Sequence, residues 1–547
     1  MRSASNTSDE VTVVNEGERT QMKARNVIAV VVLFGFLMTL GGPVIGASAS
    51  DVTWSNSGPY VDKIVYKVMY NQDDRIAALQ SGEIEMDNSF FDPVHLPTLA
   101  ANPDIDIFSA LRNGYGHITI NTRDYPLNIS ALRRAFAFSF DKTAVTTEVL
   151  DGFSQEHDSL GPYVNGWCVE DEFSYHYYTD QAAIRNALLD DAGFTFNPST
   201  GFRVAPNGEA FDIVIEYAAS SPEIAGGVAQ IGVDALLRLG IDARSEARDF
   251  YDYLNRIQFH GDYDMVFYAV NFYSNDVDWL AYDYWSEYAD EPYQNPTNFR
   301  NATYDSWRDQ LLYGTSYEEV YAAAAEMQEI LQYNVPRLVV YENIYLQGYR
   351  NDQFTNHVED LGRYISGPWT TRKMHKIDGT FGGTVPIAIA QESDSFNIFT
   401  ANSRSSIDIF DNVYSSLYKY GPDLTPVPDL AEDLLIETHS DNPSVPEGHT
   451  RFTFDIIQNA TWSDGMQLSA RDVAFTFTYM REHGYGELNQ IYAAYAPTDY
   501  TFVAEFVGES YWSFGKVAFP YIIPLHIWKD IDDPRFYAPN WDELVIS

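Results

Sequence analysis

The chain of 547 residues has one cysteine, Cys168, so it can form neither an intramolecular disulfide nor a cysteine-based metal cluster. Basic residues are also scarce: 34 Lys and Arg stand against 78 Asp and Glu, a formal net charge of −44. A surface of that sign repels phosphate backbones and anionic membranes, which excludes nucleic acid as a partner. The acids are spread over the whole chain, as in a protein kept soluble in salty surroundings; collection of cationic ligands is the other reading. No H-E-x-x-H or other histidine pair stands at metal-ligand spacing, so neither a metal site nor a cofactor is expected. There is no G-x-S-x-G elbow, phosphate-binding glycine loop or dinucleotide fingerprint. A carboxylate dyad of the glycosidase kind stays open, because acid pairs occur throughout and none is singled out.

One long apolar run is present, from Val27 to Leu40. Lys23 and Arg25 precede it and the small residues Ala47-Ser48-Ala49 follow, the order of a secretory signal. An uncleaved membrane anchor is the alternative. Residues 1–50 are therefore read as an export signal or anchor, and the remainder as an exported, extracellular or cell-surface body. Sequons at Asn128, Asn301 and Asn459 are compatible with export.

Residues 58–87 read as strand, helix, strand, and His117 to Asn121 as a further strand. The stretch "SALRRAFAFSFDK" reads as helix, with Asp141 placed to cap the next one. From Phe211 to Val270 the pattern alternates strand and helix, which predicts parallel strands within an α/β fold. Ligands gather at the C-terminal ends of such strands. The strand ending at Val270 runs into "NFYSNDVDWLAYDYW", dense in aromatics and acids, either a ligand-contact loop or a packed surface loop. Glu318 to Leu331 reads as helix and Val335 to Val340 as strand. Residues 367–383, rich in Gly, Pro and basic residues, read as a linker.

In "NATWSDGMQLSARDVAFTFTYM" the Ser463-Asp464-Gly465 turn leads to a helix. Ser469 is its N-cap, Asp472 completes a capping box, and Leu468 with Val473 forms a staple.

Taken together, several segments resemble the family 5 extracellular solute-binding proteins, the peptide- and nickel-binding components of ABC importers. "GGTVPIAIAQESDSFNIF", "TPVPDLAEDLLIE" and "FTFDIIQNATWSDGMQLSARDVAFTFTYM" are similar to the family's N-terminal segments, with Gln467 where proline is usual. "YIIPLHIW" is similar to the segment that follows them. "PYVDKIVYKV", "AALQSGEIEMD", "TINTRDYPLNISALRRAFAFSFDK" and "GDYDMVFYAVNFYSNDVDWL" resemble later segments, yet they come first here. The order implies a C-terminal-type portion at 51–375 and an N-terminal-type portion at 376–547. Circular permutation and a piece of a tandem array both explain it, and the strands that normally join the portions are absent, which would leave a sheet edge exposed.

The resemblance implies a two-lobed periplasmic-binding-protein-like (type II) fold with mixed sheets, acting as a monomer without bond-breaking chemistry. It would close over a peptide or similar small solute and deliver it to ABC permease subunits. The implied contacts are Gln391, Glu392, Ser393 and Ser395 from one lobe, and Val270, Asn271 and Tyr273 from the other. The family's acidic grip on a peptide amine aligns with Tyr273, and Asn275, Asp276 and Asp278 lie beside it. Tyr115, Trp279 and Tyr284 are candidates for stacking or lining. A sugar binder, a surface adhesion or sensory module, and an extracellular hydrolase are the alternatives.

Overall fold

A computed structural model describes residues 57–536, apart from 179, 180, 220, 402 and 487. The chain divides into two units, Met1–Trp54 and Ser55–Ser547, and the elements below belong to the second. The apolar run at 27–40 lies outside the described residues. Within them, no helix is long and apolar enough to cross a membrane.

The α/β expectation is met, in mixed form. One sheet of ten strands runs through the larger part of the molecule. At one end Asp212–Ala218 pairs in parallel with Asp242–Arg248 and with Met265–Asn271, as the alternating pattern predicts. The helix between the first two, Ile224–Arg238, buries Val228, Val233 and Leu236 on the sheet. At the other end Thr384–Ile389 lies between Lys63–Val68 and Met86–Asp87, parallel to both. Sequence portions on either side of residue 375 therefore share one sheet. Lys63–Val68 is its edge strand on that side.

A separate four-stranded antiparallel sheet holds Ala431–Thr438, His449–Ile456, Thr501–Val507 and Ile491–Thr498 in that order. His449–Ile456 alternates in burial, with Phe452 and Phe454 inward, because side chains on a strand point to opposite faces. Helix Ala470–Glu482 packs Val473 and Phe477 into the same core. The capping box forms: Ser469 Oγ accepts from the Arg471 amide, and Asp472 Oδ2 accepts from the Ser469 amide at 2.9 Å. Asp472 Oδ1 also accepts from the Leu525 amide, so the cap doubles as a tertiary tie.

Two expectations are corrected. The strand expected at 335–340 runs from Arg337 to Arg350. Its second half reads polar, but tertiary partners satisfy those groups: Gln347 Nε2 donates to Asn88 O and Gln347 Oε1 accepts from the Ile365 amide. The expected linker at 367–383 is packed structure. It opens with helix Pro368–Lys373, in which Trp369 is buried, and His375–Lys376 then pairs with Phe354–Thr355. Proline at the first helical turn starts that helix, because its missing N–H is not needed there.

Candidate functional site

The loop that leaves Met265–Asn271 at its C-terminal end faces the hairpin of Tyr418–Tyr420 and Pro426–Pro428. Between them, and bounded also by residues 511–521, lie two cavities of about 220 and 670 Å³. Ser274, Tyr420, Leu424 and Phe519 belong to both walls, so the two form one cleft. Tyr420 and Phe519 stack with ring centroids 3.8 Å apart and planes 17° from parallel. This pair supplies an apolar floor between two polar ends.

The smaller cavity is lined by charge that is paired inward. Arg363 Nη2 lies 3.0 Å from Asp411 Oδ2, and the guanidinium carbon sits 4.1 Å from the centre of the Tyr273 ring. Burial works against the Arg363 charge, but Asp411 and Asp408 outweigh it and push its pKa further up. Lys419 Nζ donates to Asp411 O and Tyr414 O and stands 3.7 Å from Asp429. Burial, helped by Arg372, pulls its pKa down to about 8. Asp360 moves the other way, to about 7, because burial outweighs the Arg363 and Gly362 amides bonded to it.

The larger cavity is lined by Asp276 and Asp278 from the loop after Met265–Asn271 and by Lys516 from helix Ser513–Ala518. Burial raises the pKa of Asp276, opposed by a bond from Ser274. Lys516 makes no ion pair or side-chain hydrogen bond among the described residues. The walls between are aromatic: Tyr511, Trp512 and Phe514 join Tyr420 and Phe519. An elongated solute with a cationic and an anionic group and apolar matter between matches that arrangement.

Of the residues expected from the sequence, Tyr273, Asn275 and Asp276 come together on this cleft. Val270 and Asn271 are held in the sheet opposite Tyr115 and Gly114. Asn271 Oδ1 accepts from Arg112 Nε and from the Tyr345 hydroxyl. Tyr115 and Tyr284 are buried in the core, and Trp279 packs against Phe272 at 5.6 Å; none of the three borders either cavity. Gln391, Glu392 and Ser393 occupy the turn after Thr384–Ile389, away from the cavity walls. Gln391 O accepts from Ser405 Oγ, and Ser395 Oγ bonds Thr400 Oγ1 at 2.8 Å.

Arg363, Arg372, Lys419, Tyr420, Lys516, Phe519 and Tyr521 border the cleft without having been anticipated. The one usable signal was the aromatic and basic alternation of Tyr418-Lys419-Tyr420, closed by a Gly-Pro turn.

A second polar cluster lies outside the cleft. Asp158, Glu170 and His176 bring ligand-type atoms within 4.8 Å of one another. Protein donors already occupy them: Lys142 Nζ and His176 Nδ1 bond Asp158, at 2.5 and 3.0 Å respectively. Glu170 Oε2 accepts from the Asp158 and Ser159 amides, and Oε1 accepts from the Tyr178 hydroxyl. Asp158 and Glu170 each accept from several protein donors, so the cluster reads as a hydrogen-bonded network that ties these segments together. Bonds from Asp158 and Glu170 raise the His176 pKa to about 9. Burial raises the nearby Glu342 to about 8.

The model of the bacterial extracellular solute-binding proteins, family 5, matches residues 50–291 and 425–542. The chain belongs to that family, whose members are binding proteins. Among solved structures it is similar to the oligopeptide-binding protein AppA of Bacillus subtilis, in complex with a nonapeptide. Identity there is 14%, the TM-score 0.49, and the match covers 57% of this chain and 60% of that one. A periplasmic oligopeptide-binding protein of Thermotoga maritima with bound mannohexaose shows 19% identity and a TM-score of 0.46, over 56% of this chain and 61% of that one. DppA of Helicobacter pylori with the peptide STSA shows 18% identity and a TM-score of 0.45, over 56% of each chain. The chain thus spans about 60% of the length of the first structures it matches. No curated protein matches it.

Proposed function

We propose that this chain is the exported substrate-binding component of an ABC importer and takes oligopeptides or similar small solutes into the cleft by lobe closure. The observation that carries the reading is the larger cavity, whose lining combines Asp276 and Asp278, Lys516 and the aromatic residues Tyr420, Tyr511, Trp512, Phe514 and Phe519. A peptide is a zwitterion whose backbone accepts and donates along its length, and such a cavity complements both ends. Asp276 and Asp278 are the groups for an amine, since Tyr273 stands where the family's acid aligns and is engaged by Arg363. The chain performs no bond-breaking step in this reading. Its partners are a peptide and the permease subunits that receive it, and residues 1–50 carry it out of the cytoplasm.

A permuted order of the family's segments fits the way Thr384–Ile389 slots between Lys63–Val68 and Met86–Asp87. In that arrangement Gln391, Glu392, Ser393 and Ser395 lie in the turn after Thr384–Ile389, outside the cavity walls, and Val270 and Asn271 end the strand whose following loop lines the cleft. Tyr115 and Trp279 support them from the core.

An oligosaccharide is the second reading, favoured by the aromatic walls, which offer stacking faces to sugar rings. Thermal unfolding of the whole chain with panels of short peptides and of oligosaccharides separates the two. Peptides raise the melting temperature in a concentration-dependent way if the first reading holds. Stabilisation by sugars alone establishes the second, and stabilisation by neither overturns both.

A further inference from the structure

The segment that follows strand Thr501–Val507 departs from its own sheet and docks on the larger part of the molecule. Ser510 Oγ donates to Leu312 O at 2.7 Å, the Tyr511 amide donates to Gly314 O at 2.9 Å, and Trp512 Nε1 donates to Leu311 O at 2.7 Å. These three carbonyls lie at the C-terminal end of helix Arg308–Tyr313, where the last carbonyls of a helix lack intrahelical partners. Three consecutive residues therefore satisfy a helix end that packs in a different core from that of the four-stranded sheet.

Packing agrees with the hydrogen bonds. By chain position Trp512 belongs with the four-stranded sheet, whose core holds Phe454, Phe477 and Phe502. By contact it belongs to the other core, with Leu311, Val320 and Trp167, and it is only 7% exposed. Its ring centroid lies 5.5 Å from that of Trp167. Trp167 in turn donates from Nε1 to Asn275 O, in the loop that forms the facing wall of the cleft. Tyr511 and Trp512 also border the larger cavity. The same short segment thus joins the two cores, lines the larger cavity and, through Trp167, connects to Asn275 in the loop that lines it too.

We propose that Ser510-Tyr511-Trp512 is a latch that holds the two lobes closed around the larger cavity, with Trp512 as its anchor. The inference deepens the lobe-closure reading and rests on it, but does not need the solute to be a peptide. Opening the cleft requires the indole to leave its pocket and the three carbonyls to find water. The latch therefore sets the balance between open and closed forms before any solute binds, and the solute shifts that balance further. Trp512 is a positioning residue here: it acts through lobe geometry.

The test measures the distance between lobes without ligand. In the full chain carrying Cys168→Ser, cysteines are introduced by Glu318→Cys on helix Tyr317–Asn334 and Glu432→Cys on strand Ala431–Thr438, both at exposed positions, and labelled for energy transfer. With the latch intact, one short-distance population dominates. Trp512→Ala moves most molecules to a longer distance, and Trp512→Phe, which keeps a ring but loses the N–H, gives a mixture. Ser510→Ala has the smallest effect, raising the open fraction several-fold from a low base. Should Trp512→Ala fail to fold by circular dichroism, Trp512→Phe and Ser510→Ala decide the matter. Unchanged distances in the folded variants overturn the latch. Titration of the labelled protein with tri-alanine separates this outcome from failure of the peptide reading. A latch that opens on mutation but never responds to peptide leaves the latch standing and counts against peptides.

Discussion

Arg363 holds Tyr273 and Asp411 at once, its guanidinium carbon 4.1 Å from the tyrosine ring centre and its Nη2 3.0 Å from the carboxylate. Tyr273 lies at the start of the loop after strand Met265–Asn271, whereas Asp411 lies on helix Arg404–Val413, beyond residue 375. One cation therefore ties the two sequence portions together beside the cleft. Removing it leaves the half-buried Asp411 without its ion-pair partner, whereas Asp408 keeps Arg404 and the bond from Asn88. Arg363→Met should destabilise the fold by roughly 1.5–3 kcal/mol in urea titrations, the range for a lost hydrogen bond to a charged group. Paired with Asp411→Asn it should cost clearly less than the sum of the two single changes.

The network around Asp158 predicts a pH dependence with a definite sign. The His176 pKa is raised from 6.5 to about 9 in the folded chain, chiefly by bonds from Asp158 and Glu170. Its stabilising contribution is therefore complete below pH ~6.5 and is lost as pH rises through ~9. Glu342, raised to about 8 by burial, acts in the same direction, since the folded form holds its proton to higher pH than the unfolded form does. Urea titrations between neutral and alkaline pH should show falling stability, and His176→Gln should flatten that fall by on the order of 1–3 kcal/mol. A slope unchanged by the substitution contradicts the assignment.

The capped helix gives a third prediction. Ser469→Ala removes one bond to a helix N-terminal amide and should cost about 1 kcal/mol. Asp472→Ala loses the bonds to both the Ser469 and Leu525 amides, so it should cost about 2–3 kcal/mol. A ranking in the reverse order in chemical denaturation contradicts the double role of Asp472.

Much of the fold was legible in the chain, and the reasons are local. Alternation marked His449–Ile456, capping chemistry marked helix Ala470–Glu482, and helical spacing marked Ser130–Ser139. The second half of Arg337–Arg350 was hidden because its polar residues are satisfied by partners far away in sequence. The Pro368–Lys373 helix was hidden because glycine, proline and charge look alike in a linker and in a packed corner. The same limit governed the site. Loop residues at a strand end could be anticipated, as Tyr273, Asn275 and Asp276 show. Arg363, Lys419 and Phe519 could not, because each reaches the cleft only through the pairing of distant segments. Tyr115 looked like a ligand contact for its type and place, and its strand turns it into the core.

Asp276 and Lys516 line one cavity, and calorimetric titration of the full chain with penta-alanine tests peptide binding there. Saturable one-to-one binding is expected, weakened about tenfold or more by Asp276→Asn and by Lys516→Met, each variant losing one charged contact. Recognition through the amine also makes the same peptide bind more weakly once acetylated. No heat with the peptide, or binding indifferent to both substitutions and to acetylation, would contradict it.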